Sequence, residues 1–291
     1  MPTAFVLSGG ASLGAVHVGM WRALAESDIR PDFIVGTSVG ALNGAFVGSR
    51  PGRNGIEELA SVWRSLRRQD VFPLSPLGGF LGYYGLRDSL VTPTALRSLL
   101  AQHLPLNRIE EAKTPVHLVA TDVLTGGEVL LSQGDAVEAV LASAAIPAVF
   151  PPVVIAGRAL MDGGVSDNTP ISHAVELGAD TLYVLPAGYP CAITVPPRTA
   201  LGMALQALTL MIGRRLSIDI EKYATQCTLH VVPPLCPLAV QPHDFRHAGE
   251  LMARAFESTR NWLANGLKTV DPARAVRPHV HLKHVGPAPD R

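Results

Sequence analysis

The chain has 291 residues, enough for one large domain or two small ones with a sizeable core. Its 24 acidic side chains balance 24 Lys and Arg, so the basic excess of a nucleic-acid binder is missing. Hydrophobic residues make up 47% but aromatic ones only 5%, the Ala-, Val- and Leu-rich bias that buried parallel strands require.

The apolar run at residues 4–7 predicts a strand. A turn, Ser8-Gly9-Gly10-Ala11-Ser12-Leu13-Gly14, separates it from a helix over about 15–27. Backbone amides in such a turn face a concavity that can hold an anion. The spacing Gly9-x-Ala11-x-x-Gly14 also loosely fits a dinucleotide fingerprint, which needs an acidic residue at the end of the next strand. The next predicted strand, 33–35, ends instead in Gly36-Thr37-Ser38-Val39-Gly40, and Asp28 and Asp32 precede it. Gly-x-Ser-x-Gly between a strand and a small-residue helix is the pattern of a serine held at a sharp bend for attack. Its plainer reading is a βα turn whose serine caps the helix.

Ile56, Leu59, Val62, Trp63 and Leu66 recur at helical spacing, with Arg64, Arg67 and Arg68 largely off that stripe. Residues 71–89, with Phe72, Phe80, Tyr83 and Tyr84 among Pro and Gly, read as a loop or lid near a site. A helix over 93–103 leads to strands at 116–120 and 128–131, a helix at 136–145, and short strands at 153–155 and 159–161. A helix at 170–177 and a strand at 181–185 close the alternation, which argues for a parallel sheet with helices on both faces. Beyond a Pro-rich break come a helix over 199–225, a strand at 228–232, a helix over 245–264 and a tail of about fifteen residues.

Asp162 follows a short strand and opens Asp162-Gly163-Gly164, a pair of glycines that lets a carboxylate sit on a tight turn. An ordinary Asp-Gly hairpin is the plainer reading of those residues. Histidine offers little here: His17, His117 and His173 stand in two helices and a strand, none within a motif. Cys191, Cys227 and Cys236 have no metal-ligand spacing and cannot all pair, which fits a reducing compartment.

Taken in order, the Gly-rich loop, Gly36-Thr37-Ser38-Val39-Gly40, Ser143-Ala144-Ala145-Ile146-Pro147-Ala148-Val149-Phe150-Pro151-Pro152 and Asp162-Gly163-Gly164 resemble the patatin-like phospholipases. The likeness covers residues from about 4 to 185. It implies a Ser–Asp dyad, with Ser38 as nucleophile and Asp162 as its proton acceptor, and an acyl-enzyme on lipid carboxylic esters. It also implies an oxyanion hole from the amides of Gly9, Gly10 and Ala11, with Leu13, Gly14 and Thr37 as candidate substrate-binding positions. The family loop usually reads Gly-Gly-Gly-x-Arg/Lys-Gly, so Ala11 and Leu13 depart from it, and Leu13 is a candidate for lining an acyl pocket.

The expectation is therefore a three-layer α/β/α fold with a central, mostly parallel sheet. Residues 1–185 form the catalytic core, 186–275 a helical extension on the same core, and 276–291 a flexible tail. No metal or organic cofactor is implied. The expected partner is a lipid or other acyl ester, with transient contact to a membrane surface and no nucleic acid. The opening strand leaves no room for a leader, and the longest apolar stretch, about 200–212, is shorter than the roughly 20 residues of a spanning helix, so a cytoplasmic location is expected. The apolar positions of that stretch, Met203, Leu205, Leu208, Leu210 and Met211, read first as core and second as an acyl-binding wall or interfacial surface. Acyl transfer, thioester hydrolysis and a lipid-binding protein with a weakened site are the competing functions.

Overall fold

The computed structural model of the chain describes residues 1–73, 89–188, 195–238, 240–267 and 271–277. Strands β1 (Thr3–Leu7), β2 (Phe33–Thr37), β3 (Val116–Asp122), β4 (Glu128–Leu131), β5 (Val153–Ile155), β6 (Arg158–Asp162), β7 (Thr181–Leu185) and β8 (Thr228–Val231) form one sheet in the order β5-β6-β3-β2-β1-β7-β8, with β4 also on β3. The run β3-β2-β1-β7-β8 is parallel. β4, β5 and β6 pair antiparallel.

Alternation along β1 assigns the two faces. Phe5 and Leu7 enter one apolar cluster and Ala4 and Val6 the other, as the two-residue period of a strand dictates. The first face carries α1 (Ala15–Glu26), α2 (Val39–Ser49), α3 (Arg53–Ser65), α4 (Arg68–Val71), α5 (Thr94–His103) and α6 (Ala136–Ser143), with α9 (Ala248–Ala264) laid along α1. The second carries α7 (Ile171–Glu176), the C-terminal half of α8 (Ala200–Tyr223) and α10 (Pro272–Ala275). The layers are helix, sheet, helix. In α3 the expected stripe is buried at Ile56, Leu59 and Trp63, while Arg64 points outward.

Three local features depart from the sequence reading. A 3-10 turn, Ala11–Gly14, stands between the glycine loop and α1, and another, Phe245–His247, precedes α9. The apolar stretch of α8 is not core. Leu216, Ile220 and Tyr223 are buried, but upstream Met203 is 52% exposed, Leu210 49% and Met211 66%. The physical reason is length. α8 has 24 residues and so spans about 36 Å, whereas the five-residue β7 and four-residue β8 that it connects reach only about 16 Å. The surplus has no sheet to cover it.

Of the expected lid, residues 74–88 lie outside the described residues, as does the tail beyond Arg277. Phe72, at the start of that segment, stacks on Phe150 with ring centroids 5.6 Å apart. No helix among the described residues is long and apolar enough to cross a membrane.

Candidate active site

β2 ends at Thr37, and the chain turns at Ser38 into α2 with φ 55° and ψ −121°. That left-handed conformation is costly for a residue with a Cβ, on the order of 1–3 kcal/mol. The bend is possible because backbone packs where its glycines lack side chains. A Cβ on Gly40 would lie 2.2 Å from the Leu7 carbonyl oxygen, and one on Gly36 2.5 Å from that of Gly40. Ser38 occupies the N-cap position but its hydroxyl makes no capping bond, so the capping reading fails.

The hydroxyl goes to Asp162 instead. Ser38 Oγ donates to Asp162 Oδ2 at 2.7 Å, and each residue is 6% exposed. β3 sets this meeting: Thr37 at the end of β2 pairs with Val119, and Asp162 at the end of β6 pairs with the next residue, Ala120. Asp162 then opens a 3-10 turn, Gly163–Val165, rather than a hairpin, and its Oδ1 accepts the Gly164 amide at 2.7 Å. Burial raises its pKa from 3.8 to about 6, the bonds from Ser38 and Gly164 opposing the rise.

Two residues without an assigned role in the sequence reading support this pair. Ser143, fully buried at the end of α6, accepts the Ser38 amide at 2.9 Å and donates to the Val119 carbonyl at 2.6 Å. It belongs to the Ser-x-x-Ile-Pro segment, so its signal lay there. Asn168 accepts the Gly9 amide on its carbonyl at 3.0 Å, joining the glycine loop to the turn after Asp162. Nothing about an asparagine three residues past that turn announces the contact.

The glycine loop lies against the serine: a Cβ on Gly9 would stand 3.2 Å from Ser38 Cβ. Gly9 itself is a correction to the expected oxyanion hole, because its N–H is donated to Asn168. The amides of Gly10 and Ala11 have no acceptor among the described residues. Ala11 adopts φ 49°, the left-handed region that its glycine-like position requires. The far side of the loop is held by the C-terminal third of the chain, where Ser12 N donates to the Pro242 carbonyl at 2.9 Å and Ser12 Oγ to that of Gln241 at 3.1 Å.

The three candidate substrate-binding positions have other neighbours. Leu13 is 1% exposed and packs in the larger apolar cluster. Gly14 abuts Val39, and its carbonyl accepts from Asn43 Nδ2 at 2.9 Å. Thr37 is fully buried and donates its hydroxyl to the Asp167 carbonyl at 2.8 Å.

Among the described residues no histidine bonds to Ser38 or Asp162. His17 is enclosed, paired with Asn43, and held at a pKa of about 4 by burial. His117 pairs with Ser132. His173 Nε2 lies 3.0 Å from Glu128 Oε2, which raises its pKa. Glu128, Asp167 and His173 bring ligating atoms within 4.8 Å of one another, but the group is internally paired. Asp167 accepts from Ser172, and Arg215 reaches Glu128, Asp219 and the Ser166 carbonyl.

Comparison with known proteins adds relatives to this geometry. The sequence profile of a family described as patatin-like phospholipase matches residues 5–175. An "uncharacterized NTE family protein" of Mycobacterium tuberculosis is 31% identical over 177 residues, 61% of this chain and 46% of that protein. Patatin-like phospholipase domain-containing protein 7 of Rattus norvegicus is 29% identical over 187 residues, 64% of this chain and 13% of that protein. The chain thus spans less than half the length of the curated relatives it matches. Among solved structures, VipD from Legionella pneumophila aligns with 91% of this chain and 66% of its own at 15% identity and a TM-score of 0.47.

Proposed function

Because the chain belongs to the patatin-like phospholipase family, we propose that it is a serine lipid acyl hydrolase working through a Ser38–Asp162 dyad. The observation that carries this reading is the 2.7 Å bond from Ser38 Oγ to Asp162 Oδ2 between two buried side chains, with the glycine loop against the serine.

In the proposed reaction Ser38 Oγ attacks the ester carbonyl while its proton passes to Asp162 Oδ2. A carboxylate held near 6 is ionised at neutral pH yet more basic than one in water, which suits a general base. The tetrahedral oxyanion is received by the free amides of Gly10 and Ala11; losing one such donor typically costs about 10²–10³ in rate. Collapse breaks the bond to the leaving alcohol, which takes the proton back from Asp162. Water then enters and attacks the acyl carbonyl as it gives a proton to Asp162, and the second collapse releases the fatty acid while Ser38 Oγ takes that proton back from Asp162. The strained Ser38 backbone keeps the hydroxyl aimed throughout, so little reorganisation is needed.

Two measurements test this. A fluorophosphonate should label the wild type on Ser38 and leave Ser38→Ala unlabelled. A mixed lipid extract should yield free fatty acid with the wild type alone. Unlabelled wild type, or fatty-acid release by Ser38→Ala, would remove the assignment.

A further inference from the structure

The outer half of α8, residues 200–213, is unusual for its chemistry and its place. It contains no charged residue, and none of its described side chains is buried. Helices that are apolar around their circumference are ordinarily enclosed by protein or lipid. Here Met203, Leu205, Leu210 and Met211 all stand in the open.

Its position follows from the topology. β1, β2 and β7 end on the edge of the sheet where Ser38 sits, and α8 runs back from that edge to the start of β8, parallel to β7. The N-terminal half of α8 is therefore on the Ser38 side. The boundary between packed and free halves is fixed at Arg215, whose Nη1 donates to the Ser166 carbonyl at 3.0 Å, four residues past Asp162. Beyond that anchor about 20 Å of helix projects. The same edge bears exposed Val165, in the turn after Asp162, and Leu124, 89% exposed in the turn after β3.

Charge selects the occupant. Between Asp180 and Asp219 the sequence has no acidic residue, while Arg198 and Arg214 are exposed on either side of the apolar half. Neither arginine has an ion-pair partner among the described residues. An apolar segment bracketed by unpaired cations matches the headgroup boundary of a membrane that carries anionic lipid.

We propose that residues 200–213 of α8 dock the protein on an anionic lipid bilayer and bring the Ser38 edge to its surface. The inference rests on the lipid-hydrolase reading for its purpose, while its test is independent of turnover. Flotation with phosphatidylcholine vesicles, with and without phosphatidylglycerol, is measured in a Ser38→Ala background. Ser38→Ala should float with the anionic vesicles. Adding Met203→Glu and Met211→Glu should cut partitioning by about tenfold or more. Arg214→Gln should weaken binding to anionic vesicles by about fivefold and leave neutral ones unaffected. Met203→Gln with Met211→Gln is the uncharged companion, and unchanged thermal unfolding verifies that each variant folds.

Absence of flotation by Ser38→Ala, or equal flotation of the double variants, overturns the proposal. So does a homodimer in sedimentation velocity that the double variants dissolve without any change in vesicle binding, since a second copy would then be the occupant. Vesicle binding by Ser38→Ala together with a wild type that hydrolyses no ester would sink the catalytic reading and leave this one standing; hydrolysis by the wild type without vesicle binding by Ser38→Ala would do the reverse.

Discussion

The hydroxyl of Ser143 accepts the backbone amide of Ser38 at 2.9 Å, across 105 residues of sequence. It also donates to Val119, the residue that pairs with Thr37, so one side chain ties the serine bend to the strand that registers it. Ser143→Ala leaves a buried amide and a buried carbonyl without that partner. The expected loss is about 1–3 kcal/mol of stability. The nucleophile would also lose its fixed aim, and kcat should fall tenfold or more with KM little changed. Thermal unfolding and the fluorophosphonate labelling rate check the two effects separately.

Asp162 should impose its protonation on the rate. A base must be ionised to accept a proton, and burial holds this one near 6. For a soluble nitrophenyl ester, kcat/KM should rise about tenfold per pH unit below that value and level off above it. A profile inflecting near 4 would mean a solvated carboxylate and no such base.

Stability should move the opposite way. The folded pKa of Asp162 is raised above 3.8, so between about 4 and 6 the folded chain binds more protons than the unfolded one. The associated stability is present below that window and is lost as the pH rises through it, by an amount of the order of 3 kcal/mol. Asp162→Asn should therefore abolish turnover yet unfold at a higher temperature than the wild type at pH 8. Asp167, likewise raised to about 6 by burial, leaves a residual slope in the variant.

Ala11 bears its left-handed φ of 49° where glycine would be indifferent. Ala11→Gly removes that strain, partly offset by the greater freedom of glycine in the unfolded chain. A net gain of a few tenths to about 1 kcal/mol is expected in chemical denaturation, and a loss would mean that the methyl group is packing.

Much of this molecule was readable from residue types. The alternation of β1, α1, β2 and α2 followed from short apolar runs separated by helical periods, and Ser38 and Asp162 stood out because glycines bracket the first and follow the second. Ser143 stood in a recognised segment but without a role, because a serine ending a helix has the same letter whether it faces water or a neighbouring amide. Gly9 was assigned a free N–H because the pattern shows that an amide exists, not who accepts from it; Asn168 does. Hydrophobic spacing misplaced the outer half of α8 for a related reason. Periodicity reports which side chains avoid water, whereas their enclosure depends on how far the neighbouring strands extend.

The bonds from Ser12 to Gln241 and Pro242 carry a consequence for when the protein becomes competent during synthesis. The alcohol and the acid both leave the ribosome well before the segment that braces the loop beside them. A nascent chain halted after β7 would hold the proposed Ser38–Asp162 pair but lack the clamp on the amides proposed to receive negative charge. Under the proposed mechanism reactivity then waits for residues 241–242 to emerge, and a fragment trimmed to the matched family region, residues 5–175, would lose its grip on the glycine loop.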